Sequence, residues 1–110
     1  MIIASPTGST GYSLSAGGPV LNPALYALVI TPICPHLLYQ RSVIVDKDDV
    51  VTITVATGNA DIFLTLDGQE GFALNYKDCI RVKRAECVTN HVYFPGSNFY
   101  KLLHKKLMNT

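Results

Sequence analysis

The stretch Ser5–Pro19, Ser-Pro-Thr-Gly-Ser-Thr-Gly-Tyr-Ser-Leu-Ser-Ala-Gly-Gly-Pro, gathers the groups most able to do chemistry in this sequence. Six of its fifteen residues carry a Ser or Thr hydroxyl, four are Gly, and the one aromatic ring is Tyr12. Hydroxyls are short donors and acceptors suited to sugar and phosphate oxygens, and a tyrosine ring offers a stacking face. To converge, these groups need a tight backbone. Pro6 biases Ser5 toward an extended conformation, so a strand over Met1–Ala4 should end there. Ser9 or Thr10 is then expected to cap a short helix over Tyr12–Ala16, and Gly17 to end it in the left-handed region. Such a loop is expected to aim backbone N–H groups and hydroxyls at one spot, which favours a phosphate or a ribose oxygen. A glycine-rich turn that only packs closely is the other reading of the same residues.

Other reaction classes fail on pattern. A phosphate-cradling Gly-x-x-x-x-Gly-Lys-Ser/Thr loop needs a lysine, and none stands between Met1 and Asp46. Gly11-Tyr12-Ser13-Leu14-Ser15 begins like a nucleophile elbow but ends in Ser where Gly is required. Cys34-Pro35-His36 offers two metal-type ligands with no matching second pair, which does not make a structural zinc site. Cys79 and Cys87 read as half-buried thiols, and His91 and His104 have no carboxylate at a telling spacing. Asp67, followed by Gly68, is first of all a hairpin turn residue.

Strands should carry the loop. Tyr26–Thr31 is a nearly continuous apolar run, short enough for a strand covered on both faces, and Pro32 stops it. Ser42–Val45 and Val50–Ala56 flank Asp46-Lys47-Asp48-Asp49 and are expected to pair antiparallel with one another, with Val51, Ile53 and Val55 alternating against Thr52 and Thr54. Asp61–Leu66 turns through Asp67-Gly68 into Gly71–Leu74, and Cys79–Lys83 and His91–Phe94 read as further short strands. Phe99, Leu102, Leu103 and Leu107 recur at helical spacing, predicting a closing helix over Asn98–Leu107 capped by Ser97, with Lys105 and Lys106 at its negative end.

Bulk properties narrow the class. The chain has 110 residues, 48% hydrophobic and 15% charged, which suits a single cored domain. A net charge of +1 gives no electrostatic reason to expect nucleic acid or a membrane surface as partner. Three cysteines are too few and too uneven for a disulfide framework, and no apolar run reaches membrane length, so a cytoplasmic protein is expected.

Taken as a string, Ser5–Pro19 resembles the Thr-Pro-Thr-Gly-Ser-Thr-Ala-Tyr-Ser-Leu-Ser-Ala-Gly-Gly-Pro signature of the NAD kinases. Ile30-Thr31-Pro32-Ile33-Cys34-Pro35-His36 resembles that family's second motif, and Leu66-Asp67-Gly68-Gln69 and Phe99-Tyr100-x-x-Leu103 resemble its last third. Ser5 replaces Thr and Gly11 replaces Ala; the second change weakens a helix start by about 1 kcal/mol. The resemblance implies a mainly β fold: an antiparallel, sandwich-like C-terminal domain with a short helix after the glycine-rich loop and a helix at the end. It implies transfer of a phosphoryl group from ATP or polyphosphate, with a divalent metal such as Mg, to the 2′-hydroxyl of the adenosine ribose of NAD, giving NADP. It assigns Thr7, Thr10, Gly11, Tyr12 and Ser15 to the dinucleotide, Cys34 and His36 to a segment near the nucleotide of the same or a neighbouring subunit, and Asp67 to the rim of the site. Self-association into a dimer or tetramer is implied as well.

The family's Gly-Gly-Asp-Gly-Thr segment, whose Asp is taken to activate the ribose hydroxyl, has no counterpart here: the sequence contains no Gly-Gly-Asp. The family's Asn-Glu pair also lies upstream of the matched region. Residues 1–110 are therefore expected to be part of the β-rich NAD-binding domain without the N-terminal ATP-binding α/β domain, and to be inactive alone, since phosphoryl transfer needs both reactants held in line. A non-catalytic assembly module and a lipid-kinase relative of the same superfamily stay open as alternatives.

Overall fold

The computed structural model describes residues 1–33 and 41–108. Contacts divide the chain into two units, Met1–Val45 with Ala85–Thr110, and Asp46–Arg84. The architecture is mainly antiparallel β with a helix at the C-terminal end, as the resemblance implies.

In the first unit, β1 (Ile2–Ala4) and β2 (Ala27–Thr31) pair antiparallel with Ile2 opposite Thr31 and Ala4 opposite Val29, and β3 (Val43–Asp46) continues the sheet in the order β1-β2-β3. Leu28 and Val29 are consecutive and both buried, so β2 is covered on both faces, as its unbroken apolar run requires. A 3₁₀ turn (Thr7–Thr10) and a one-turn helix α1 (Tyr12–Ser15) follow β1 directly. The closing helix α2 (Phe99–Met108) begins at Asn98, whose Oδ1 accepts the N–H groups of Tyr100 at 2.9 Å and Lys101 at 3.1 Å. The cap is thus Asn98, one residue beyond the expected Ser97. Tyr100 ties the helix to the loop before β2: Asn22 Nδ2 donates to its hydroxyl at 2.9 Å.

The second unit is built from two ribbons. β4 (Val51–Thr54) pairs antiparallel with β7 (Cys79–Val82), and β5 (Ile62–Leu66) with β6 (Glu70–Leu74). Val51 and Ile53 are half-buried between exposed Thr52 and Thr54, so the period-two pattern is kept, and Val55 beyond them is buried. Val55 extends the first ribbon, accepting the Lys77 N–H and donating to the Asp78 carbonyl, both at 2.9 Å. Asp67 and Gly68 have φ of 50° and 71°, and Gln69 N–H closes the turn on the Leu66 carbonyl, so the hairpin forms where expected.

Three expectations are corrected. β3 and β4 do not pair with each other: β3 adds to β2, while β4 takes the more distant β7. The intervening Asp46–Asp49 turn, closed by Asp49 N–H on the Asp46 carbonyl and by Asp46 N–H on Asp49 Oδ2, separates two sheets instead of closing a hairpin. His91–Phe94 is not a strand; its residues are exposed and pair with no strand among the described residues. Strand propensity without a partner edge leaves only irregular chain. Cys79 and Cys87, expected to be half-buried, are exposed and unbridged.

Candidate functional site

Local hydrogen bonds shape the Ser5–Pro19 segment. Ser5 Oγ accepts the Gly8 N–H at 3.2 Å, the Ser9 N–H reaches the Pro6 carbonyl, and the Gly11 N–H reaches the Gly8 carbonyl at 3.0 Å. Several N–H groups expected to be open to a ligand are therefore satisfied within the loop. Ser9 is not a helix cap: it is fully buried, donates to the Pro6 carbonyl at 2.7 Å and accepts the Leu21 N–H at 3.0 Å. Thr10 Oγ1 turns back to the Thr7 carbonyl, and the position before α1 is Gly11, which makes no side-chain cap. Gly17, with φ of 90°, ends the helix as expected, its N–H on the Leu14 carbonyl.

Burial sorts the loop into an inner and an outer set. Ser9, Ser13 and Gly18 are buried; Leu14 and Ala16 are half-buried; Thr7, Thr10, Gly11, Tyr12 and Ser15 are exposed. Each of the five loop residues assigned to a dinucleotide thus belongs to the outer set, with Tyr12 67% exposed. Ser13 Oγ lies 2.8 Å from Thr31 Oγ1 on β2, which also accepts a 3.4 Å bond from Ser42 Oγ. Gly18 fits against this pair: a Cβ there would lie 2.6 Å from Thr31 Oγ1 and closer still to Ser13 Oγ. Sequence reasoning missed this inner set, because nothing but position distinguishes Ser9 and Ser13 from the exposed hydroxyls beside them.

An open cleft of about 450 Å³ adjoins the loop, lined by Gly17, Pro19, Thr31, Pro32, Arg41 and Ser42, and Arg41 gives it a cationic wall. A smaller cavity of about 220 Å³ lies in the other unit beside Thr57, Ala60, Phe63 and Tyr76. Asp67 also belongs to that unit, at the exposed hairpin tip. Cys34 and His36 lie outside the described residues. Among the described residues no three His, Cys, Asp or Glu side chains are gathered as metal ligands. No helix among the described residues is long and apolar enough to cross a membrane.

A β-rich domain presenting a hydroxyl-lined strand-to-helix loop is the class this architecture defines. The ATP-NAD kinase C-terminal domain family matches residues 1–93, and the chain belongs to that family. Curated relatives agree: it is 49% identical to the NAD kinase of Caldanaerobacter subterraneus subsp. tengcongensis and 50% identical to those of Thermoanaerobacter pseudethanolicus and Geotalea daltonii, each over 107 residues. Those alignments cover 97% of this chain and 38% of the relatives, so the chain spans well under half their length. Among solved structures, yeast NADH kinase complexed with NADH is similar with a TM-score of 0.69 and 38% identity, covering 74% of this chain and 23% of that one. At the level of family, this decides for the NAD kinases over their lipid-kinase relatives.

Proposed function

We propose that this chain is the dinucleotide-binding C-terminal portion of an NAD kinase, an enzyme that transfers a phosphoryl group from ATP or polyphosphate to the 2′-hydroxyl of the adenosine ribose of NAD. The observation that carries the reading is the sorting of the Ser5–Pro19 loop: Ser9 and Ser13 are spent inward, while Thr7, Thr10, Tyr12 and Ser15 face outward on the same short segment. A tyrosine ring left two-thirds exposed beside hydroxyls is poor packing and a good wall for a base or a ribose. The NADH bound by the yeast relative supports the same ligand class. In this reading Tyr12 packs against the dinucleotide, and Thr7, Thr10 and Ser15 bond its sugar and adenine-side polar atoms. Gly11 allows close approach, while for Asp67, Cys34 and His36 a role toward the dinucleotide rests on the motif resemblance alone.

The remaining walls, including the base that activates the ribose hydroxyl, belong to an N-terminal domain of the full-length enzyme. The chain also self-associates in this reading. A two-stranded ribbon is marginal alone, and β5–β6 leaves Phe63, Leu66 and Phe72 exposed. The deciding experiment is ATP- or polyphosphate-dependent formation of NADP from NAD by the full-length protein carrying this chain, read with an NADP-specific dehydrogenase. Steady turnover is expected; a purified, folded protein that forms no NADP with either donor refutes the reading.

A further inference from the structure

We propose that Ser13 and Thr31, closed over by Gly18, are positioning residues that hold the binding loop in the arrangement the dinucleotide meets. The proposal rests on the dinucleotide reading above and goes beyond it, because both hydroxyls are spent on each other and not left to solvent: Ser13 is fully buried, and Thr31, at the floor of the cleft, is 1% exposed.

A one-turn helix has no stability of its own, since nucleation costs more than one turn returns. What places α1 is therefore its anchorage, and Ser13 supplies it from the middle of the turn, directly after Tyr12 and two residues before Ser15. On the other side, Thr31 ends a strand whose preceding residues are Leu28, Val29 and Ile30. A valine would fill the same volume there without a hydroxyl to desolvate, so the hydroxyl is explained by the bond it makes. Gly18 fixes the distance, since any side chain at that position would collide with both hydroxyls and with the Ser13 carbonyl, 2.8 Å from a Cβ. The Gly18 N–H donates to that same carbonyl at 2.8 Å. Residues 13, 18 and 31 thus form one close-packed contact joining the first motif to the start of the second.

A shared anchor makes its two halves interdependent. In the full-length enzyme, Ser13→Ala and Thr31→Val are each expected to raise the NAD dissociation constant and KM by roughly five- to twentyfold, the scale of one buried hydrogen bond with an orphaned partner, with kcat little changed. The double variant should be no weaker than Thr31→Val alone, because that change already removes the Ser13–Thr31 bond, together with the longer one from Ser42. Thr31→Ser keeps the hydroxyl and should restore affinity. Amide hydrogen exchange should quicken across Tyr12–Ala16 while β2 stays protected. If Thr31→Val does not fold, Ser13→Ala, the smaller change, decides together with Thr31→Ser. A wild-type enzyme that binds NAD alongside folded variants that bind it equally well, or singles whose effects multiply in the double, overturns the positioning role alone. A folded wild type with no affinity for NAD overturns the dinucleotide reading and this role with it.

Discussion

Replacing Tyr12 by Ala separates recognition from packing in one variant. Two-thirds of the residue is exposed, so only about a third of a side chain of about 200 Å² is withdrawn from water in the fold. At about 25 cal/mol per Å² that burial is worth roughly 1.7 kcal/mol, and alanine's better helix propensity offsets about 0.5 kcal/mol of the loss. A fully buried aromatic would cost about 3–5 kcal/mol. Loss of a stacked base or sugar face, by contrast, costs about 1–3 kcal/mol of binding, or about 5- to 150-fold in the dissociation constant. In the full-length enzyme, titration calorimetry with NAD should therefore show weakening within that range. Thermal unfolding without ligand should move by no more than a few degrees. A Tyr12→Ala enzyme that unfolds far earlier yet binds NAD normally once folded would refute the outward reading of the loop.

The 110-residue chain by itself is expected to form no NADP from NAD and ATP; turnover above a host-kinase-free background would show that it holds a complete site. The same chain should run as a dimer or larger in light scattering at micromolar concentration, because the ribbon faces carrying Phe63 and Phe72 are left to solvent, and a compact monomer would contradict this. Asn98→Ala should cost about 0.5–2 kcal/mol by uncapping α2, seen as a lower denaturant midpoint; an unchanged midpoint would mean that the helix is held by other contacts.

Local chemistry was readable from the sequence wherever neighbours in sequence decide it. Asp67-Gly68 specified its hairpin because the turn needs two residues of positive φ in a row, and Gly17 marked the end of α1 for a similar reason. The apolar run of β2 announced burial on both faces. Pairing was not readable, because alternation fixes which face a residue occupies but not which strand lies beside it; β4 took β7 across the whole second unit instead of neighbouring β3. The site divided along the same line. The loop's place and its exposed Tyr12 followed from composition and resemblance, whereas the inward turn of Ser9 and Ser13 depends on Leu21 and Thr31, residues 12 and 18 positions away.

From Met1 to Gln40 the chain carries no Lys, Arg, Asp or Glu, and the loop's N–H groups at Gly8, Ser9 and Gly11 are already bonded within it. What the loop's exposed side chains offer a ligand is a ring and hydroxyl dipoles, neither of which dissolved ions screen as they screen separated charges. On the proposed dinucleotide reading, the share of the affinity due to these side chains should stay level as ionic strength rises, while any charged contacts to the phosphates weaken. On that reading these side chains are the salt-blind part of the site, matched to the neutral sugar and base of the proposed ligand.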